Sequence, residues 1–189
     1  MFNRRNAWLA GCVSVLGLAV GSVNAGLINF EELPGDESAI ATDYQPVGLP
    51  VGVSTTFTDG FLGSFAGEPG SDGGLYVFIE VADGTISFSG DVEVPSLFLD
   101  GTYLGFGGFA NGTVTGLLDG NTVWTGSVAQ GAGWTEITTG AGQTIDALAF
   151  NGSFLGIDAV TVNSAVVPEP ASLGLLAVGG LMMLRRRAM

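Results

Sequence analysis

Between residues 26 and 165 apolar side chains alternate with polar ones in short runs, and no stretch of good helix formers has helical periodicity. Ile28 and Phe30 alternate in a first candidate strand, and Leu75 to Val81 is a dense β-branched and aromatic run. Ile86 and Phe88 alternate within Thr85–Ser89. Ser96 to Leu99 leads into Asp100-Gly101 and then Thr102 to Phe106, which predicts a hairpin. Thr113 to Leu118, Asp119-Gly120-Asn121 and Thr122 to Val128 predict a second one, since Asp-Gly suits a turn that needs positive φ. Ile145 to Phe150 and Ile157 to Val162 close the series, separated by Asn151-Gly152. The Pro- and Gly-rich stretch from Leu33 to Gly74 predicts long loops with one or two strands.

About eight strands without a helix are most economically packed as two sheets face to face. The expected fold is all-β, an antiparallel β-sandwich of jelly-roll type, with a barrel as the alternative. A signal helix is expected before it and a hydrophobic sorting helix after it, giving segments 1–25, 26–165 and 166–189. No period recurs, which argues against calcium-binding nonapeptide repeats.

Composition narrows the chemistry. Of 189 residues 32 are glycine, far above the usual ~7 %, as short strands and tight turns require. The formal charge is -13, from 18 acidic and 5 basic residues. All the basic residues lie at the ends, as Arg4, Arg5, Arg185, Arg186 and Arg187. From residue 26 to 167 there is no Lys, Arg, His or Cys, and the one cysteine is Cys12. The middle segment thus lacks an imidazole base, a thiolate or lysine nucleophile and a His/Cys metal site. Nucleic acid is not expected as a partner, because phosphate binding draws on Lys and Arg.

The N-terminus has a positive head, an apolar run from Ala7 to Val20, and small residues before a cut after Ala25. This is the form of a secretory signal peptide, to be removed by signal peptidase. Leu9-Ala10-Gly11-Cys12 has the look of a lipobox, but too few apolar residues precede Cys12 to serve as its hydrophobic region. At the other end Val167-Pro168-Glu169-Pro170 is followed by the apolar run Ala171 to Leu184 and then by Arg185-Arg186-Arg187. As a helix that run spans only ~21 Å of a ~30 Å hydrocarbon core. The arginine triplet would keep its end in the cytoplasm.

A short motif, a marginal span and a basic stop in that order resemble the PEP-CTERM sorting signal of exported bacterial proteins. The resemblance implies cleavage near Pro168-Glu169-Pro170 by exosortase, a membrane protease-transpeptidase. It also implies only transient residence in the inner membrane, then release to the cell surface or extracellular matrix of a Gram-negative-type bacterium that exports polysaccharide. The two prolines hold this peptide extended, as a protease substrate must be.

The domain opens with Ile28-Asn29-Phe30-Glu31 and closes with Phe154-Leu155-Gly156-Ile157-Asp158-Ala159-Val160-Thr161-Val162. This is similar to domains carrying that sorting signal, and to carbohydrate-binding jelly rolls of the galactose-binding-like type. The resemblance implies that first and last strands lie side by side and that Glu31 and Asp158 hold a structural calcium ion. Ala159 stands where a second Asp is frequent, so one potential ligand is missing. Independently of family, 17 carboxylates in the middle segment have no internal counter-cation, a charge imbalance that a hard divalent ion would relieve.

Flat amphipathic side chains are the candidates for a glycan surface, because sugar rings stack on aromatic faces. Trp124 lies within a strand and reads as a packing residue, whereas Trp134 follows Gly131-Ala132-Gly133 and is the expected ligand contact. Tyr44, Tyr76 and Tyr103 lie near turns. Asn111-Gly112-Thr113 and Asn151-Gly152-Ser153 match the glycosylation sequon and read first as turns. No glycosidase signature is present. The expected role is a non-enzymatic structural or adhesive protein in biofilm or floc exopolysaccharide. The alternative is a lectin-like module with structural calcium, and a glycoside hydrolase is the third reading.

Overall fold

A computed structural model describes residues 25–33, 38–58, 60–63, 74–140 and 142–165. The signal helix, the sorting helix, Pro168, Glu169, Pro170 and Arg185, Arg186 and Arg187 lie outside the described residues. What is described is all-β, with ten strands paired antiparallel throughout and a single 3-10 turn, Leu104–Gly107.

The strands are β1 (Ala25–Ile28), β2 (Thr55–Phe57), β3 (Phe61–Gly63), β4 (Val77–Ile79) and β5 (Asp83–Asp100), then β6 (Asn111–Leu118), β7 (Asn121–Ala129), β8 (Thr135–Thr138), β9 (Thr144–Asn151) and β10 (Leu155–Ser164). Hydrogen bonding runs in the order β3-β4-β10-β5-β9-β6-β7, with β1 added to β10 and β2 and β8 both added to β5. The first and last strands are therefore neighbours, in the register Ile28↔Val160.

β5 organises the domain. Its inward positions are Gly84, Ile86 and Phe88, then Val92 and Val94, and beyond Pro95 the phase switches to Leu97 and Leu99. Its first half pairs with β2 and β9, and its second half with β8 and β10. The ladder to β9 is irregular between Ser87 and Val92. A proline cannot donate to a ladder and is tolerated where a strand bends or bulges. The two expected strands at Thr85–Ser89 and Ser96–Leu99 are thus one long strand with a change of face.

The expected hairpin at Asp119-Gly120 is present: β6 and β7 close on Leu118↔Asn121. Asp119 and Gly120 have φ of 50° and 75°, the primed turn that matches strand twist. The hairpin expected at Asp100-Gly101 is not. The Gly101 N–H donates to Ala132 O at 2.8 Å, and its carbonyl accepts Gly131 N–H at 2.9 Å. The backbone that would have continued a ladder is held by another loop, and the chain turns into the 3-10 segment instead. Asn111 and Asn151, expected in turns, open β6 and close β9.

Between the strands lies one apolar cluster. A row of edge-on rings runs through it, with Phe57–Phe61 centroids at 5.3 Å and 87° and Phe61–Phe150 at 6.1 Å and 84°. Such tilted contacts set the positive ring edge against the negative face. Tyr44 extends the row at the boundary, 5.6 Å from Phe57.

Candidate functional site

Three separate segments bring aromatic rings to one place. Tyr76 and Phe78 come from the approach to β4 and from β4 itself, Tyr103 and Phe106 from the 3-10 region, and Phe154 from the turn before β10. With Asp100 and Gly156 they line a cleft of about 280 Å³. Tyr103 and Phe106 stack at 6.0 Å and 14°, Phe154 meets Phe106 edge-on at 6.4 Å, and Phe78 stacks on Phe154 at 6.4 Å and 14°. Phe106 is 81 % exposed, an unusual state for a phenylalanine and a suitable one for a binding wall.

Local backbone geometry accounts for the arrangement. Phe154 sits in the left-handed region at φ 62°, held by its N–H to Ile79 O at 2.6 Å. The 3-10 turn ends on Gly108 at φ 78°, and Phe109 N–H donates to Leu104 O, which keeps Tyr103 and Phe106 on a tight loop. Leu104, between them, is fully buried and anchors that loop in the core.

Asp100 supplies the charge. It closes β5, is 7 % exposed, and its Oδ1 accepts both Thr102 N–H at 3.0 Å and Thr102 Oγ1–H at 2.6 Å. This Asp-initiated turn orients the carboxyl group at the cleft and also starts the turn toward Tyr103.

Trp134, the ligand contact expected from the sequence, is beside the cleft and not in its lining. It meets Tyr76 edge-on at 5.1 Å and 77°. It also packs at Gly156, where a Cβ would lie 3.1 Å from its Cη2 and 2.9 Å from Asp100 Cβ. Trp124, read as a packing residue, is half-buried against the core and over Gly116, with its Nε1 buried and lacking an acceptor among the described residues.

The two carboxylates assigned to calcium have different settings. Glu31 is exposed, just after Phe30 leaves the β1 ladder with φ 58°, and its Oε1 accepts Leu75 N–H at 2.8 Å. Asp158 is fully buried in β10, opposite Phe98 of β5. Calcium takes six to eight oxygens, so a shell built on these two would draw mainly on carbonyls and water. Among the described residues no three of His, Cys, Asp and Glu form a group that could hold a metal. After Asp158 the ladder to β5 bulges at Ala159, whose φ is 47°.

Beside Glu31, Glu32 also ties down a loop. Its Oε1 accepts Tyr44 O–H at 2.5 Å and Val47 N–H at 2.9 Å. Burial first, and then this carboxylate, push the Tyr44 phenol well above its ordinary value.

Of the aromatic residues singled out in the sequence, Tyr76 and Tyr103 line the cleft, Trp134 lies beside it, and Tyr44 and Trp124 are outside its lining; Phe78, Asp100, Phe106 and Phe154 line it without having been singled out. The chain matches no protein-family model and has no significant match among curated proteins.

Proposed function

We propose that this β-domain is the non-catalytic, glycan-binding part of an exported surface or matrix protein, and that the aromatic cleft is its binding site. The observation that supports this best is the gathering of five aromatic rings and one oriented carboxyl group in the lining of a single cleft. Sugar rings present apolar faces to such walls and hydroxyl donors to such a carboxylate. Trp134 acts on this reading by supporting Tyr76. Glycoside hydrolysis ordinarily takes a pair of carboxylates, and the described lining contributes one, which favours retention of a polysaccharide over its cleavage.

Delivery rests on the terminal motifs. Signal peptidase would release the chain after Ala25, and exosortase would process it at Pro168-Glu169-Pro170, leaving it in exopolysaccharide of a biofilm or floc. Deleting exosortase should leave the protein uncleaved and membrane-held; normal processing in the deletion strain would refute this part. The finer architecture we infer is a jelly-roll β-sandwich, on the support that β5 serves different partners with its two halves. A glycan array probed with the mature protein tests the binding role, and a blank array with folded protein would reject it.

A further inference from the structure

We infer that the sugar held by the cleft carries a free amine: a hexosamine unit whose ammonium meets Asp100 while its ring lies against the aromatic walls. This rests on the glycan-binding reading and narrows it to cationic, de-N-acetylated glycans.

The first support is the setting of Asp100. It is the one acidic side chain among the described residues of the lining and is 7 % exposed. Its partner Thr102 offers two donors, both neutral, and both bonds end on Oδ1. No Lys, Arg or His occurs from residue 26 to 167, so the domain has no side-chain cation to set against this carboxylate. Carboxylates drawn out of water are costly unless they meet an opposite charge, and a ligand ammonium would provide it.

The walls point the same way. A cation is attracted to the negative face of an aromatic ring, the more so where water is excluded. Tyr76, Phe78, Tyr103, Phe106 and Phe154 line the same cleft as the carboxyl group, and Phe106 is the most exposed of these rings. A neutral sugar would use the rings for stacking alone, whereas an amino sugar uses both ring and charge.

Long-range electrostatics complete the argument. With 17 carboxylates and no base between residues 26 and 167, the domain attracts polycations and repels uronic-acid polymers before any contact forms. The cleft is small, just under the ~300–1,000 Å³ of typical ligand pockets, and so suits a single ring of a chain.

Calorimetry on the mature protein with a glucosamine oligomer, the matching N-acetylglucosamine oligomer and tetramethylammonium tests this. The free-amine oligomer should bind about tenfold tighter than the acetylated one, or more. Asp100→Asn keeps an acceptor for Thr102 and should abolish that preference while leaving the acetylated oligomer bound. Should that variant melt early, the wild type gives the same answer: raising the pH from about 6 to about 9 discharges the sugar amine and should erase the preference. Among the described residues of the cleft, Asp100, Tyr76 and Tyr103 carry the ionisable groups. Equal binding of the two oligomers would overturn the amine inference and leave the glycan reading standing. Amine-oligomer binding indifferent to both Asp100→Asn and Phe106→Ala would overturn it as well, as plain surface attraction. Tetramethylammonium binding without either oligomer, or no binding at all, would overturn both.

Discussion

Trp134 meets Tyr76 edge-on, with ring centroids 5.1 Å apart at 77°, and so holds one wall of the cleft from outside it. The contact is possible because residue 156 is glycine: a Cβ there would come within 3.1 Å of the indole and 3.6 Å of Tyr76. Truncating Trp134 should therefore act on binding through Tyr76. We expect Trp134→Ala to cost about 2 kcal/mol, below the ~3–5 of a fully buried tryptophan, and to weaken glycan binding. Trp134→Phe keeps an edge for Tyr76 and should restore most of the affinity. Thermal melts and calorimetry on the two variants check this; equal binding losses in both would point to direct contact by the indole.

Ala159 marks the bulge of β10 at φ 47°, a backbone conformation that costs a residue with a Cβ roughly 1–2 kcal/mol. Ala159→Gly should relieve part of that, raising stability by about 1 kcal/mol in a denaturant titration, despite the extra freedom of glycine in the unfolded chain. A variant less stable than the wild type would show that packing of the buried methyl group outweighs the strain.

The Asp119-Gly120 hairpin could be read because its turn is local, and adjacent residues decide its geometry. The adjacency of first and last strands followed from the resemblance of their phrases. The hairpin at Asp100-Gly101 failed because Gly101 is bonded to Gly131 and Ala132, some thirty residues on, which no local pattern encodes. β8 went unread because it is only four residues long, although Thr135-Glu136-Ile137-Thr138 alternates with the right residue types. The cleft was hidden for the same reason of distance. Phe78, Asp100, Phe106 and Phe154 each look like ordinary strand or turn residues, and only the pairing of β4, β5 and β10 makes them neighbours. A phenylalanine at positive φ, as at Phe30 and Phe154, is also invisible to rules that assign such turns to glycine.

The Tyr44–Glu32 pair predicts an alkaline limit. The phenol is raised by burial and by Glu32, so the folded state keeps a proton that the unfolded chain releases near the ordinary value of 10.0. That contribution is fully present below about pH 10 and is lost as pH climbs above it, because only the unfolded form gains from deprotonation. The melting temperature should fall above about pH 10, and Tyr44→Phe should flatten that fall while removing the bond to Glu32. A tyrosinate absorbance titration in which all three tyrosines ionise together in the folded protein would contradict the assignment.

Calcium at Glu31 and Asp158 makes a separable prediction, because Glu31 already has work to do. Its Oε1 holds the Leu75 amide across a separation of 44 residues, a bond that a glutamine can also accept. Glu31→Gln should therefore keep the loop in place and lose only the charge. If the carboxylates of Glu31 and Asp158 share an ion, calcium raises the melting temperature of the wild type by a few degrees, chelation reverses the shift, and the variant shows neither effect. An identical rise in wild type and variant would assign calcium to other carboxylates among the 17, and a flat response in both would leave Glu31 as a loop tie alone. The ion's contribution is distinguishable from general screening because sodium chloride at matched ionic strength weakens charge repulsion everywhere, without the preference for oxygen cages. Running both salts on both proteins therefore separates a bound ion from relief of the domain's uncompensated negative charge.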